Sequence, residues 1–260
     1  MEAIVEGEYV DDDYFPFDDL ESPESLALLW LTRQDTFHLC ADSPNLIQRY
    51  VLAAMHFHLG GDQWTDCTVQ ACSSHSFLSG VSECMWEGIV CQNDGTIKEI
   101  HLNGRNVTGQ LPEVMGLLDA LEVVAMDDNQ LSGYIPASFG GLPSLKVLDL
   151  DNNNLSGTIP ESLFNASTIQ VIDFDTNQLS GTIPTLIGDL TGLYFLQLDR
   201  NDFDGPIPSE LASLPNLKYL SLFQNNFTTS IPSALCGGDK QIFADCSVCT
   251  IADCCKACLV

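Results

Sequence analysis

Six prolines in this chain lie 24 residues apart, and the same phrase surrounds each of them. The phrase reads LKVLDLDNNNLSGTIP over residues 145–160 and IQVIDFDTNQLSGTIP over residues 169–184. A strict period of this length indicates a solenoid, because one repeat can bury its apolar side only by stacking on its neighbours. Such stacks usually act as extended binding surfaces, so the period favours a binding function over an enzymatic one. The prolines are Pro112, Pro136, Pro160, Pro184, Pro208 and Pro232.

Each repeat contains the alternating pattern LxL, which predicts a short strand with its leucines inward and the residue between them on the concave face. An asparagine follows the strand in most repeats, where its amide can satisfy backbone groups of the turn and of the adjacent coil. Arg105 replaces it in the first repeat, and Thr229 replaces a repeat glycine in the last, as expected of terminal repeats. The asparagines are Asn129, Asn153, Asn177, Asn201 and Asn225.

The charge balance of the 260-residue chain is extreme, since nine Lys and Arg stand against 36 Asp and Glu, a net charge of −27. Such a field repels nucleic acid and anionic membrane surfaces and favours cations or basic partners. Eleven cysteines near the two ends of the repeats indicate an oxidising compartment, and their odd number leaves at least one thiol free or joined to another chain. Four glycosylation sequons fit a secreted protein, at Asn106, Asn154, Asn165 and Asn226.

The N-terminal region divides into a leader and a predicted cap. Residues 1–21 are acidic and expected to be disordered, and they lack the basic residues of a signal peptide. We therefore expect a targeting segment or membrane anchor upstream of residue 1, with a cytosolic protein as the alternative. Ser22, Pro23 and Glu24 predict one helix start, and a second is predicted at residues 42–44 with its end at Gly60 and Gly61.

The repeat phrase LxxLxLxxNxLSGxIP resembles the plant-type leucine-rich repeats. The segment CMWEGIVC, residues 84–91, is similar to the N-terminal cap motif CxWxGVxC of that subfamily, and the resemblance extends to about Cys236. Together with the acidic leader, the helical block and the cysteine-dense tail, the layout resembles diatom leucine-rich-repeat proteins, in which such a module often follows a membrane anchor. The resemblance implies an extracellular or lumenal recognition module.

The fold predicted from the repeats and this resemblance is an α/β, right-handed leucine-rich-repeat solenoid. Six 24-residue repeats place a parallel β-sheet on the concave face. The predicted divisions are a leader at 1–21, a helical N-terminal cap at 22–92, the repeats at 93–235 and a cysteine-rich C-terminal cap at 236–260.

The cap motif implies a disulfide between Cys84 and Cys91. We also expect Cys67 to pair with Cys72 and Cys236 to pair with a cysteine of the tail, which makes Cys40 the candidate for an unpaired thiol. The tail holds two CxxC pairs at 246–249 and 255–258, with five residues between them. Zinc ribbons separate such pairs by about 15 to 20 residues, so disulfides are favoured over a metal site.

Aspartates recur on the predicted concave face, and we call six of them the acidic ladder: Asp127, Asp149, Asp151, Asp173, Asp175 and Asp199. Asp128 follows the first of them. Because adjacent strands lie about 4.8 Å apart, the array would be about 15 Å long and would repel itself. Three interpretations remain open: solvated residues without a role, a site for a basic protein or peptide, and Ca²⁺ sites.

An aromatic group lies beside the acidic ladder, in the last two repeats and next to Arg200 and Lys218. Exposed aromatic residues commonly anchor interfaces, but these could equally pack under the C-terminal cap. The group consists of Tyr194, Phe195, Tyr219 and Phe223.

Catalytic motifs are absent from the sequence, which has no P-loop, GxSxG, HExxH or GxGxxG pattern. The ladder carboxylates could in principle hydrolyse glycosides, but we expect an open, hydrated sheet to create no pKa contrast among them. The predicted function is non-enzymatic extracellular recognition of a protein, peptide or glycan through the concave face, without a cofactor. The alternatives are a structural or adhesive component of the cell surface or wall, and an inhibitor of secreted hydrolases.

Overall fold

Each repeat contributes one short strand to a continuous sheet on the concave side of a right-handed solenoid. The computed structural model describes residues 19–41, 43–65, 77–236, 239–249, 254–255 and 257–259. In chain order the strands are β1 (Ile89–Cys91), β2 (Ile97–His101), β3 (Thr108–Gln110), β4 (Val123–Ala125), β5 (Gln130–Gly133), β6 (Val147–Asp149), β7 (Asn154–Gly157), β8 (Val171–Asp173), β9 (Gln178–Gly181), β10 (Phe195–Gln197), β11 (Asp202–Gly205), β12 (Tyr219–Ser221), β13 (Asn226–Phe227), β14 (Gln241–Asp245) and β15 (Ala257–Leu259).

Two sheets run along the stack. The concave sheet has the order β1-β2-β4-β6-β8-β10-β12-β14-β15, and all of its pairs are parallel except β1 with β2. The second sheet, β3-β5-β7-β9-β11-β13, lies on the flank where the chain leaves the concave strands. Short 3-10 turns follow the repeat prolines, whose fixed φ suits a turn start. Their bounds are Glu113–Leu117, Ala137–Gly141, Glu161–Asn165, Thr185–Asp189, Ser209–Ser213 and Ser233–Leu235.

The predicted strand register is confirmed by the core. Leu148 and Leu150 are fully buried, whereas Asp149 between them is partly exposed on the concave face. The asparagine column also acts as expected. The Asn153 amide donates to the carbonyl oxygens of Met126, Leu150 and Asp151, and its oxygen accepts the Leu131 N–H at 2.9 Å. Each such side chain therefore joins two coils through otherwise unpaired backbone groups.

The N-terminal cap consists of helix α1 (Pro23–Arg33) and helix α2 (Leu46–His58). Ser22 caps α1 by accepting the Ser25 N–H, as predicted. Helix α2 starts at Leu46, after Asn45, slightly later than the predicted start. Among the described residues, no helix is long and apolar enough to span a membrane.

The end of α2 packs closely on the first repeat. The Leu59 carbonyl accepts the Thr108 N–H at 3.1 Å. Gly109 has a φ of +80°, and a Cβ on this residue would lie 2.1 Å from the His58 carbonyl oxygen. Only glycine allows this approach of cap and repeat.

A buried ion cluster holds the cap together, and sequence reasoning missed it. Arg49 is fully buried and donates two hydrogen bonds to Asp35, at 2.6 and 2.7 Å, and one to Glu83 at 3.1 Å. Its guanidinium also lies 4.8 Å from the ring centre of Trp86. A single basic residue in a helical pattern gives no signal of burial, because long charged side chains are usually exposed.

The disulfides largely follow the predictions. Cys84 bonds to Cys91, and Cys236 bonds to Cys254 in the tail. A further bridge joins Cys249 to Cys255, and among the described residues only Cys40 is a free cysteine. The predicted Cys67–Cys72 pair and most of the acidic leader lie outside the described residues. The tail does more than close the end, because β14 and β15 extend the concave sheet past the last repeat.

The concave face as a candidate functional site

The acidic ladder is in register across four strands and the turns that follow them. Asp149 of β6 pairs directly with Asp173 of β8. Beyond the strands the backbone bonds continue, with Asn152 N–H donating to the Asp175 carbonyl at 2.9 Å and Thr176 N–H to the Asp199 carbonyl at 3.0 Å. Parallel pairing therefore stacks the carboxylates in two adjoining columns, because equal positions of each repeat lie side by side.

Burial separates the ladder carboxyls from ordinary surface aspartates. Desolvation, followed by the charges of Asp173 and Asp149, raises the pKa of Asp151 to about 8. Desolvation also raises the pKa of Asp173 to about 7, with Asp149 among the neighbouring charges that add to it. The pKa values of Asp127, Asp149 and Asp199 are raised as well, in each case mainly by burial. The expectation of a hydrated sheet without pKa contrast is therefore wrong.

An internal cation pairs with the carboxyls at one end of the ladder. The Arg200 Nη1 atom lies 3.2 Å from Asp175 Oδ2 and 3.1 Å from Asp199 Oδ2. The same guanidinium lies 4.9 Å from the centre of the Phe223 ring. From the sequence we expected Arg200 to lie beside the aromatic group, but we did not predict that it pairs with the acidic ladder. This one guanidinium offsets part of the charge of Asp175 and Asp199, whereas the part around Asp151 has no Lys or Arg partner among the described residues, although the charge of His101 acts on Asp127.

The part of the ladder around Asp151 holds a compact group of three carboxylates. Asp127, Asp149 and Asp151 each offer one oxygen, and these three atoms lie within 4.8 Å of one another. They would supply three of the six to eight oxygens that Ca²⁺ takes, and the ion would have to displace the proton of Asp151. A Ca²⁺ site remains a prediction. Asp128 is exposed, lies outside the strand and accepts a hydrogen bond from the Asn152 amide.

The aromatic group forms a cluster at the C-terminal end of the concave face. The rings of Phe195 and Tyr219 stack with centroids 4.5 Å apart and an interplanar angle of 7°. Phe243 of β14 packs against Tyr219 at 5.2 Å, which sequence reasoning missed because β14 was not predicted as a strand. Tyr194 is exposed at the edge of the sheet, and Phe223 lies under Arg200. Tyr219 thus contacts the C-terminal cap through Phe243, while the rings remain partly exposed. Their role as anchors of an interface stays a prediction.

Two further columns border the ladder. In five strands, the residue that precedes the first inward-facing residue is apolar or aromatic and partly exposed. We call these five residues the apolar column: Val123, Val147, Val171, Phe195 and Tyr219. One residue earlier, at the N-terminal edge of the sheet, four of the nine basic residues lie in one row, the lysine column: Lys98, Lys146, Lys218 and Lys240. Glu122 lies between the first two of them in this row, and Gln170 and Tyr194 lie between Lys146 and Lys218. Aligning the repeats at their 24-residue period would have found both columns.

The sequons lie away from the concave columns. Asn154 and Asn226 are exposed on the second sheet, and Asn165 is exposed in a 3-10 turn. The Asn106 amide instead donates to the Gln63 carbonyl at 3.1 Å and its oxygen accepts from Gln130, so this side chain links the cap to the repeats. Glycosylation at these positions remains a prediction.

Comparison with known proteins agrees with this geometry. The chain matches the family described as leucine rich repeat over residues 96–155 and again over residues 216–237. No curated protein sequence matches it.

Three solved structures illustrate the likeness. The crystal structure of Pollen Receptor Kinase 3 is 33% identical, with a TM-score of 0.60, and the match covers 65% of this chain and 83% of that one. PEPR1 in its complex with AtPEP1 is 27% identical, with a TM-score of 0.63, over 76% of this chain and 28% of that one. The plant peptide hormone receptor RGFR1 in complex with RGF2 is 31% identical, with a TM-score of 0.56, over 57% of this chain and 24% of that one.

This chain thus spans about a quarter of the two peptide-receptor chains but most of the pollen receptor structure. The identity to the pollen receptor, the family matches over the repeats and the two-sheet solenoid lead to the same assignment. The chain belongs to the leucine-rich-repeat proteins, with repeats of the plant type.

Proposed function

We propose that this chain is a non-enzymatic, extracellular recognition module whose concave face binds a protein or peptide, with basic groups of that partner on the acidic ladder. The similar receptors are solved with a peptide hormone, RGF2, and with AtPEP1, which supports a protein or peptide partner. The disulfides at both ends of the repeats support an oxidising, extracellular setting.

The observation that carries the proposal is the uncompensated, partly buried carboxyl group around Asp151. The Asp151 carboxyl keeps its proton near neutral pH because burial and the neighbouring carboxylates disfavour its charged form. A Lys or Arg side chain of the partner, brought to Asp151 and Asp173, would stabilise their charged forms. These two carboxyls would therefore release protons when the partner binds. Affinity for a basic partner should therefore rise between pH 6 and pH 8.

The experiment uses a double variant, Asp151→Asn with Asp173→Asn, which keeps the side-chain shape and removes two titrating groups. Asp175 is the poorer choice because Arg200 already compensates it. Secreted and cell-surface proteins are captured on the immobilised chain, and the affinity of each partner is measured from pH 6 to pH 8.

A matched control, Asp202→Asn with Asp204→Asn, removes two exposed carboxylates from strand β11 on the flank. We expect the ladder variant to weaken binding about tenfold or more and to flatten its pH dependence, while the control leaves both unchanged. Equal loss in the two variants would indicate general attraction to an acidic surface, as in a structural or adhesive role. A partner that binds the ladder variant undiminished would contradict the proposal.

A further inference from the structure

The three columns of the concave face run parallel along the stack and differ in chemistry. The apolar column crosses five strands, a length of about 19 Å at about 4.8 Å per strand. On one side of it, two residues or about 6.6 Å further along the strand, lie Asp149 of β6 and Asp173 of β8, while Ala125, Gln197 and Ser221 hold this position in the other three strands. On the other side, at the N-terminal edge of the sheet, lies the lysine column.

The apolar column is an unpartnered strip of the sheet in the described residues. Val147 and Val171 pair across β6 and β8 and are partly exposed, and the stacked rings of Phe195 and Tyr219 continue the strip. Glu99 precedes it on β2 and Gln241 follows it on β14, so the apolar surface has defined ends. Such a bounded apolar strip with charged side chains beside it is typical of an interaction surface.

We infer that the apolar column and the acidic ladder together bind one extended polypeptide segment whose apolar and basic side chains alternate. This inference rests on the proposed function and names the chemistry of the partner. In an extended chain, successive side chains point to opposite sides of the backbone. A backbone that runs along the stack between the two columns therefore directs every second side chain to the valines and aromatic rings, and the others to the carboxyls.

The dimensions set the length of this segment. At about 3.3 Å per residue, about six residues cover the 19 Å of the column, so about three apolar and three basic side chains take part. The lysine column favours this arrangement, because the reverse placement would bring basic side chains close to Lys218. Lys146 is held at 2.7 Å from Glu122, whereas Lys218 is exposed. A segment with its basic residues in one block would leave either the valines or the neighbouring carboxyls without a complementary side chain, because Asp149 and Asp173 lie beside Val147 and Val171 on the same two strands.

The test compares two synthetic six-residue peptides of identical composition and charge. The first alternates, as Leu-Lys-Val-Arg-Leu-Lys, and the second is blocked, as Leu-Val-Leu-Lys-Arg-Lys. Binding of fluorescently labelled peptides to the whole chain is measured by anisotropy at pH 8. We expect the alternating peptide to bind at least about tenfold more tightly.

Two variants locate the site. Val147→Thr with Val171→Thr keeps the β-branched shape, so folding is preserved, but makes the column polar. Leu186→Thr is the matched control, since Leu186 is exposed in a 3-10 turn away from the concave sheet. The valine variant should lose about tenfold in affinity for the alternating peptide and the control should lose nothing. A second variant, Phe195→Leu, should lower affinity less because it keeps apolar area.

Equal affinity for the two peptides, or an unaffected valine variant, overturns the inference. That result leaves the proposed function standing if a captured partner still depends on Asp151 and Asp173. Absence of any such partner contradicts the proposed function itself, whatever the peptides do.

Discussion

The titration of the acidic ladder makes the stability of this protein depend on pH in an unusual direction. Asp151 has a pKa of about 8 in the folded chain, and Asp173 has a pKa of about 7, against an ordinary value of 3.8. A folded state that holds its protons more tightly than the unfolded chain is most stable below the unfolded pKa. Stability is then lost as pH rises towards the folded pKa. Acidification from pH 7 to pH 4 should therefore stabilise the fold through these two groups.

The magnitude follows from the linkage of protonation to folding. For each pH unit over which the folded state keeps a proton that the unfolded chain has lost, one group adds about 1.4 kcal/mol to the free energy of unfolding. The three units between pH 4 and pH 7 give about 4 kcal/mol for a fully desolvated carboxyl. Because both carboxyls are partly exposed and their titrations are linked, water screening lowers the expected value to about 1–2 kcal/mol each. The pair should thus contribute about 2–4 kcal/mol.

The assay is thermal or denaturant unfolding of the parent chain and of the variant Asp151→Asn with Asp173→Asn, at pH 4, 5.5 and 7. The variant should be more stable than the parent at pH 7 by about 2–4 kcal/mol and nearly equal to it at pH 4. The flank control, Asp202→Asn with Asp204→Asn, should follow the parent at each pH. Parallel curves for parent and ladder variant would refute the reasoning, since the two carboxyls would then titrate alike in both states.

Three further predictions concern the folded framework. Leu150→Ala should lower the free energy of unfolding in urea by about 2–5 kcal/mol because its side chain is fully buried, and a loss below about 1 kcal/mol would contradict this packing. Arg49→Ala should cost about 3–5 kcal/mol in the same assay, because it leaves two buried carboxylates unpaired, and a neutral result would mean that water compensates them. Replacing Cys84 and Cys91 by serine should cost about 2–5 kcal/mol, and non-reducing peptide mapping of the parent should find the two cysteines joined.

The sequence alone determined the architecture, since a period that every repeat obeys leaves one way to bury the leucines. Leu148 and Leu150 are buried and Asp149 faces outward because strand alternation permits no other register. The helix start at Ser22 was also within reach because it depends on residues close in the chain, and the Cys84–Cys91 bridge because the resemblance to the cap motif implies it.

Tertiary structure decided the environment of the charges. Nothing in the sequence indicates that Arg49 is buried, but packing of the cap places it against Asp35 and Glu83 and buries it. Arg200 reaches Asp175, which precedes it by one repeat, and Phe243 joins Tyr219 only because β14 continues the sheet. The proton on Asp151 likewise depends on carboxyls one repeat away and on water excluded by the stack. Periodicity fixes which residues share a column, but desolvation and pairing depend on distances that exist only once the coils are stacked.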